Sequence, residues 1–406
     1  MKLSATKLNS IYNELSSNCA NPSLKVDFWS GESISVLSLV AKKILPFSKV
    51  AVLYSKASYT ECGLLLSEKL KQNGNSVIHV VLPDNFTNSV ESYSDIFNLP
   101  EDVRLIIAID SKFFSLAKYF ASLRQIDCAL AVNNLNCFGV LSPSLTLRNG
   151  NSLDEVKISA NLHIIFDYKK IEQSKDCYKD AYAFLVSHAL ALVDLRFNAL
   201  ILGEKINSSA YSLASKSIVT AYSLFTNKRE DFYNILTESL FSLELANLFA
   251  DNKLYQSFSS KFVADNLKMS SYAENLLTAS CLIAKLYGLY FSDKYNKILT
   301  YPDYVTRAEF IANTLSVTHA YALEKLLSNC NIINQLSYSQ LSSVKKLSKD
   351  VISFIECSSN MKSTFTALGG NTESQLQSFS ALIKHSGDLE LNGMTLLRES
   401  GITELI

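Results

Sequence analysis

Histidine is the side chain best suited to hold a metal or to move a proton near neutral pH. It occurs five times in the 406 residues, as His79, His163, His188, His319 and His385. No two are four residues apart and no HExxH pattern occurs, so no helical zinc pair is written into the chain. His79 and His163 fall in apolar strand-like runs and His188 in an apolar helical run, where core histidines satisfied by neighbours are expected. His319, in SVTHAYA, has polar neighbours and is the candidate general base. The cysteines Cys19, Cys62, Cys128, Cys137, Cys177, Cys281, Cys330 and Cys357 stand singly without a CxxC pair, which predicts isolated thiols and no disulfide or zinc framework. No GxSxG elbow and no phosphate loop is present, leaving hydrolysis and phosphoryl transfer without an anchor. Asp110-Ser111 follows the apolar run IIAI and reads as a polar strand-to-helix turn, with Ser111 placed to cap the helix. Phe28, Trp29, Tyr287, Tyr290 and Tyr295 read as packing residues.

The elements that must position such residues follow from composition and periodicity. Lys+Arg and Asp+Glu both number 38, giving zero net charge; 48% of the residues are hydrophobic and 19% charged. This composition supports a large core, excludes a disordered or collagen-like chain, and removes the electrostatic reason to expect nucleic acid or an anionic membrane as a partner. Five short apolar runs, at 49–54, 77–82, 103–109, 128–132 and 162–166, read as strands of a parallel sheet covered on both faces. Ser58-Tyr-Thr-Glu61 has the form of a capping box, opening a helix that Gly74 ends, and 111–123 reads as the next helix. Strands alternating with helices predict a Rossmann-like α/β domain with a parallel sheet over residues 1–168. Beyond it, only Gly203 and Gly288 occur between 151 and 368, and Pro302 is the one proline after Pro143. Runs such as 181–198 and 233–249 carry apolar residues at helical spacing, predicting an all-helical domain over 169–406. Gly369-Gly370 is expected to mark a turn before a final helical hairpin. The apolar stretch 184–193 is shorter than the ~20 residues a bilayer needs, and the N-terminus has no unbroken apolar segment of a secretory signal. A cytoplasmic protein without a membrane span is expected.

Four stretches, in this order and spacing, resemble the superfamily of dehydroquinate synthase-like proteins, glycerol and glycerol-1-phosphate dehydrogenases and iron-containing alcohol dehydrogenases. VDFWSGES followed by a helix and KVAVLYS is similar to the family's N-terminal strand, glycine-containing turn and first nucleotide-domain strand. IIAIDSKFFSLAKYFA resembles its strand, glycine triplet and helix ending in Ala-Lys, with Ala117 and Lys118 in place. NNLNCFGVLSPSLTL resembles the segment Thr-x-x-x-Asn-Asp-Gly-x-x-Ser-Pro through Gly139, Ser142 and Pro143. LHIIFD and then FLVSHALALVDLRFNA resemble the strand ending in Asp and the helix after it, matching at Asp167 and Asp194.

The resemblance implies NAD(P) and a divalent metal, zinc or iron, working in the crevice between the two domains, and a dimer or larger homo-oligomer. It implies cofactor-binding positions at Asp110, Ser111, Lys118, Asn133 and Gly139, where the family's glycine triplet is replaced by Ile109, Asp110 and Ser111. The family's metal is held by one acidic residue and two histidines; the corresponding positions are Phe184, Thr278 and Tyr301, none of them a ligand of that kind. A displaced metal site would have to draw on Asp180, Asp194 or Asp303. Two functions are therefore expected. One is a degenerate homologue, a pseudoenzyme without cofactor or metal that serves by binding or regulation, with a small molecule in the crevice. The other is an active NAD(P)-dependent polyol or polyol-phosphate dehydrogenase with a rearranged site, or a dehydroquinate synthase-like enzyme.

Overall fold

A computed structural model describes residues 3–17, 22–135, 138–149, 152–174, 177–203, 205–226, 231–250, 258–266, 272–291, 303–315, 317–337, 339, 382–383, 385–388 and 393–399. Helix α1 (Leu3–Ser17) leads into β1 (Leu24–Ser30), α2 (Ser33–Ile44) and β2 (Lys49–Ser55). The helical run α3 follows as Lys56–Ser58, a π-turn over Tyr59–Gly63, and Leu64–Gln72. Then come β3 (Ser76–Leu82), α4 (Val90–Phe97), β4 (Val103–Ala108), a 3-10 turn Ser111–Phe113, α5 (Phe114–Arg124) and β5 (Asp127–Val132). A hairpin of β6 (Ser144–Asn149) and β7 (Ser152–Lys157) precedes β8 (Ala160–Phe166) and α6 (Tyr168–Gln173). The rest is helical: α7 (Cys177–Leu202), α8 (Ser208–Thr226), α9 (Phe232–Leu248), α10 (Phe258–Asn266), α11 (Tyr272–Phe291), α12 (Tyr304–Leu315), α13 (His319–Asn334) and α14 (Gly393–Glu399). The chain forms two compact units, one of residues 1–178 with 229–252 and one of 179–228 with 253–406. Helix α9 thus belongs with the sheet, although it follows the 168/169 boundary expected from the sequence.

All six strands of the main sheet run parallel, in the order β1-β8-β5-β4-β2-β3. The apolar runs make this possible because successive side chains enter opposite, equally covered faces. Val50, Val52, Tyr54, Leu105 and Ile107 pack with Leu37 and Val40 of α2 and Leu66 and Leu70 of α3. On the other face Phe166 stacks on Phe28 at 5.9 Å and meets Phe241 of α9 edge-on at 4.7 Å. Phe28 is thus the packing residue expected. The capping box at Ser58 does not form: Ser55 is the N-cap, its hydroxyl accepting from Ser58 N at 3.2 Å. Glu61 reaches Lys170 at 2.9 Å instead of turning back on the helix. Gly74 does end α3, with φ of +85°, a conformation glycine takes without strain.

In the second unit α7 is buried on nearly every side, and Leu190, Val193 and Phe197 pack with Ile283 and Leu286 of α11 and Met394 and Leu397 of α14. The 25 residues Tyr178–Leu202 contain an 18-residue window of mean hydropathy 1.6, long and apolar enough to cross a membrane, which corrects the expectation drawn from 184–193 alone. However, 72% of that window is buried within the protein, as in a core helix. A buried ionic cluster ties α12 to the last described segments: Arg307 pairs with Asp388 and, at 2.9 Å, with Glu399, while His385 meets Asp388 at 2.9 Å. Gly369-Gly370 and Tyr295 lie outside the described residues. The four described cysteine side chains, Cys62, Cys128, Cys281 and Cys330, are free and buried.

Two expected outcomes follow from buried charge. Replacing Asp388 by Ala leaves buried Arg307 with Glu399 alone and removes the carboxylate facing His385, and should destabilise the protein by about 3 kcal/mol in chemical denaturation. His163 on β8 lies 3.7 Å from Asp127 on β5 and 3.9 Å from Asp27 on β1. Burial alone lowers its pKa, but the nearby carboxylates of Asp127 and then Asp27 outweigh this and raise it. A raised folded pKa gives stability that is fully present below the unfolded value of about 6.5 and is lost as pH rises through the folded value. The urea midpoint of His163→Gln should therefore lack a decline, beginning at about pH 6.5, that the parent shows; parallel pH profiles for the two proteins would contradict this.

Candidate functional site

The connection after β2 runs to β3 on one side, whereas the next one crosses back to place β4 on the other. The crevice above the carboxyl ends of β2 and β4 is therefore the switch point of the sheet, where doubly wound folds bind ligands. The chain places Asp110 there, in extended geometry at φ −100° and ψ 134°, directly after β4. Its carboxylate spans the crevice: Oδ2 accepts the Ser55 N–H at 2.7 Å and Oδ1 accepts the Ser58 hydroxyl at 2.5 Å. Ser111 does not cap the helix; it is the first residue of the 3-10 turn that opens α5.

Around this carboxylate is a pocket of about 270 Å³ lined by Ser58, Cys62, Asp110, Asn133, Lys170 and Gln173, among others. Asn133 ties the ends of β5 and β4 together, its Nδ2 donating to the Ile109 carbonyl at 3.3 Å. Lys170 is held by Glu61. Burial pushes the Cys62 thiol up to about 11, so it presents no thiolate.

Lys118 and Gly139 belong to a separate clasp. Lys118 is buried in α5, and its Nζ donates to the carbonyls of Gly139 at 3.0 Å, Val140 at 2.9 Å and Ser142 at 3.2 Å. An ammonium has three protons, and all three are spent on the loop. From α9, Glu244 accepts the Gly139 N–H at 2.8 Å and the Leu141 N–H at 3.2 Å. Desolvation lowers Lys118 to about 8 and raises Glu244 to about 7, each shift opposed by the other group's charge. Sequence reasoning missed Glu244. Its signal was a lone charge in the apolar run SLFSLELANLF, since a carboxylate there must find donors or stay out of the core.

The residues present do not fit an NAD(P) pyrophosphate held on bare amides, because Asp110 brings a negative charge to the turn that would receive it. At 4 Å and an effective dielectric of 20, two like charges repel by about 4 kcal/mol. Nor do they fit a metal. Phe184 is buried with its ring 6.3 Å from that of Tyr272, and Thr278 is buried with its hydroxyl oxygen lacking a hydrogen-bond partner. Tyr301 lies outside the described residues. Among the described residues no three of His, Cys, Asp and Glu are disposed to hold a metal ion. Of the displaced candidates, Asp194 accepts the Tyr287 hydroxyl, Asp303 accepts Thr306 N at 2.9 Å and so caps α12, and Asp180 sits in the first turn of α7.

The histidines are engaged in structural contacts. His188 places Nδ1 2.8 Å from the Phe184 carbonyl, and burial lowers it to about 4. His79 lies against the rings of Tyr54 and Tyr59, and His385 stacks on Phe310 at 4.1 Å. His319 opens α13 in an exposed position, with Nε2 3.3 Å from the Val305 carbonyl.

No family model matches the sequence, and no curated protein matches it. Solved structures do resemble the fold. The chain superposes on an iron-containing alcohol dehydrogenase from Thermococcus thioreducens with a TM-score of 0.56 at 14% identity, covering 94% of this chain and 97% of that one. An NADH-dependent butanol dehydrogenase from Thermotoga maritima gives 0.55 at 12% identity, covering 95% and 98%. A sulfoacetaldehyde reductase from Bifidobacterium kashiwanohense, solved with NAD+, gives 0.55 at 12% identity, covering 94% and 96%. The two-part fold is thus that of these dehydrogenases: a parallel sheet with helices, then a mostly helical part.

Glu244→Ala would leave two buried N–H groups and a buried ammonium without their acceptor or countercharge. It should destabilise the protein by about 3 kcal/mol, read from chemical denaturation. A change within 0.5 kcal/mol would show that the clasp is not a structural requirement.

Proposed function

We propose that this chain is a degenerate homologue of the metal- and NAD(P)-dependent polyol and alcohol dehydrogenases, with a binding or regulatory role in place of their chemistry. The observation that carries the reading is the Asp110 carboxylate at the switch point, bonded to Ser55 N and the Ser58 hydroxyl. A turn that should offer unoccupied amides to a diphosphate offers an anion. The Phe184 ring and Thr278 hydroxyl add support, since neither supplies the charge or imidazole that a divalent ion needs. With zero net charge there is no pull toward nucleic acid, and the partners under this reading are a small molecule or a second copy of the chain.

The test is thermal unfolding with NAD(H) and NADP(H), each with and without zinc or iron(II). A ligand at one hundred times its dissociation constant adds about 2.7 kcal/mol of stability. We expect no shift, and no oxidation of glycerol, glycerol 1-phosphate or butanol. A shift with nucleotide accompanied by metal-dependent turnover would establish instead an active dehydrogenase with a rearranged site. Dehydroquinate synthase-like cyclisation needs the same nucleotide and metal and is decided by the same binding result.

A further inference from the structure

We infer that Asp110 is a specificity gate, a tethered anion that occupies the phosphate-accepting position of the switch-point pocket and turns free phosphates away. The inference rests on the reading that the parent chain does not bind NAD(P), and it adds that a single side chain closes an otherwise competent anion site. Two donors converge on the carboxylate from the start of α3, the Ser55 N–H at 2.7 Å and the Ser58 hydroxyl at 2.5 Å. They sit at the N-terminal end of a helical run that continues to Gln72, where the backbone dipoles favour negative charge. The occupant is the chain's own oxyanion, and a pocket of about 270 Å³ opens beside it. The charged side chains lining that pocket are Glu61, Asp110 and Lys170, two carboxylates and one ammonium. Their sum is −1, and removal of Asp110 brings it to zero while releasing both donors.

The backbone permits the experiment. Asp110 is extended at φ −100° and ψ 134°, so Ala or Asn can adopt its conformation without strain, and its side chain makes no cap bond to the helix that follows. Binding of inorganic pyrophosphate and of ADP is measured by calorimetry on the full chain, for the parent, Asp110→Ala, Asp110→Asn and the double variant Asp110→Ala/Ser58→Ala. Removing a like charge at contact distance should strengthen pyrophosphate binding to D110A by roughly tenfold or more. D110N, which keeps the shape and one acceptor, should gain less. The gain should shrink in the double variant and with rising salt.

Cooperative thermal unfolding confirms that each variant folds, and D110N serves should D110A fail to. If a folded D110A or D110N binds pyrophosphate no better than the parent, Asp110 is not a gate and the inference falls alone. A gain that persists undiminished in the double variant would place the anion elsewhere and overturn it too. Should the parent itself bind and reduce NAD(P), the failure lies with the proposed function, a separate outcome of the test above.

Discussion

A carboxylate taken out of bulk water must be met by donors, and the loops at the carboxyl end of the sheet are organised around that requirement. Three acidic side chains meet it with backbone N–H groups from distant segments. Asp110 takes Ser55 N, Asp167 takes Ser33 N at 2.9 Å and Lys170 N at 3.3 Å, and Glu244 takes Gly139 N and Leu141 N. Apart from the local cap at Lys170 N, each bond fixes one segment to another: the end of β4 to the start of α3, the end of β8 to the start of α2, and helix α9 to the loop before the hairpin. A charge-assisted bond is roughly twice as strong as a neutral one. These contacts therefore set the loop geometry more firmly than a neutral turn residue could.

The strands were legible because their signal is local. Five apolar runs became β2, β3, β4, β5 and β8 within a residue or two, since a parallel strand buried on both faces needs no distant information to be recognised. The β6–β7 hairpin was passed over despite its own signal, two alternating segments around Asn149-Gly150. Ser58 shows the opposite error. Its spacing to Glu61 satisfies a capping rule, but Asp110, 52 residues away, takes its hydroxyl and Lys170, 109 residues from Glu61, takes the carboxylate. Partners at that separation are invisible to a local pattern, as was the role of Glu244.

The helical unit shows why composition and length must be weighed against burial. An 18-residue window within Tyr178–Leu202 is apolar enough for a bilayer, but the helix uses its side chains on α11 and α14. Its His188 is kept neutral by burial, which outweighs the opposing pull of the Phe184 carbonyl at i−4. The Arg307, Asp388 and Glu399 cluster takes the costlier course of burying ions, and compensates by pairing Arg307 with both carboxylates. Burial would raise Asp388, yet its bonds to His385 and Arg307 hold it below the usual carboxylate range.

On the proposed reading, tethering is what lets one side chain outweigh a dissolved phosphate. A group held in place by the fold occupies the site without the loss of translational and rotational freedom, at least several kcal/mol, that a dissolved anion bears on binding. A phosphate offering only the same two hydrogen bonds would then lose to Asp110. To win, it must bring contacts that the carboxylate lacks, and Lys170, the one cation lining the pocket, is already engaged by Glu61. A bulkier uncharged side chain at that turn would crowd a diphosphate while leaving the donors available. Asp110 goes further, because it satisfies the donors that a diphosphate would have used.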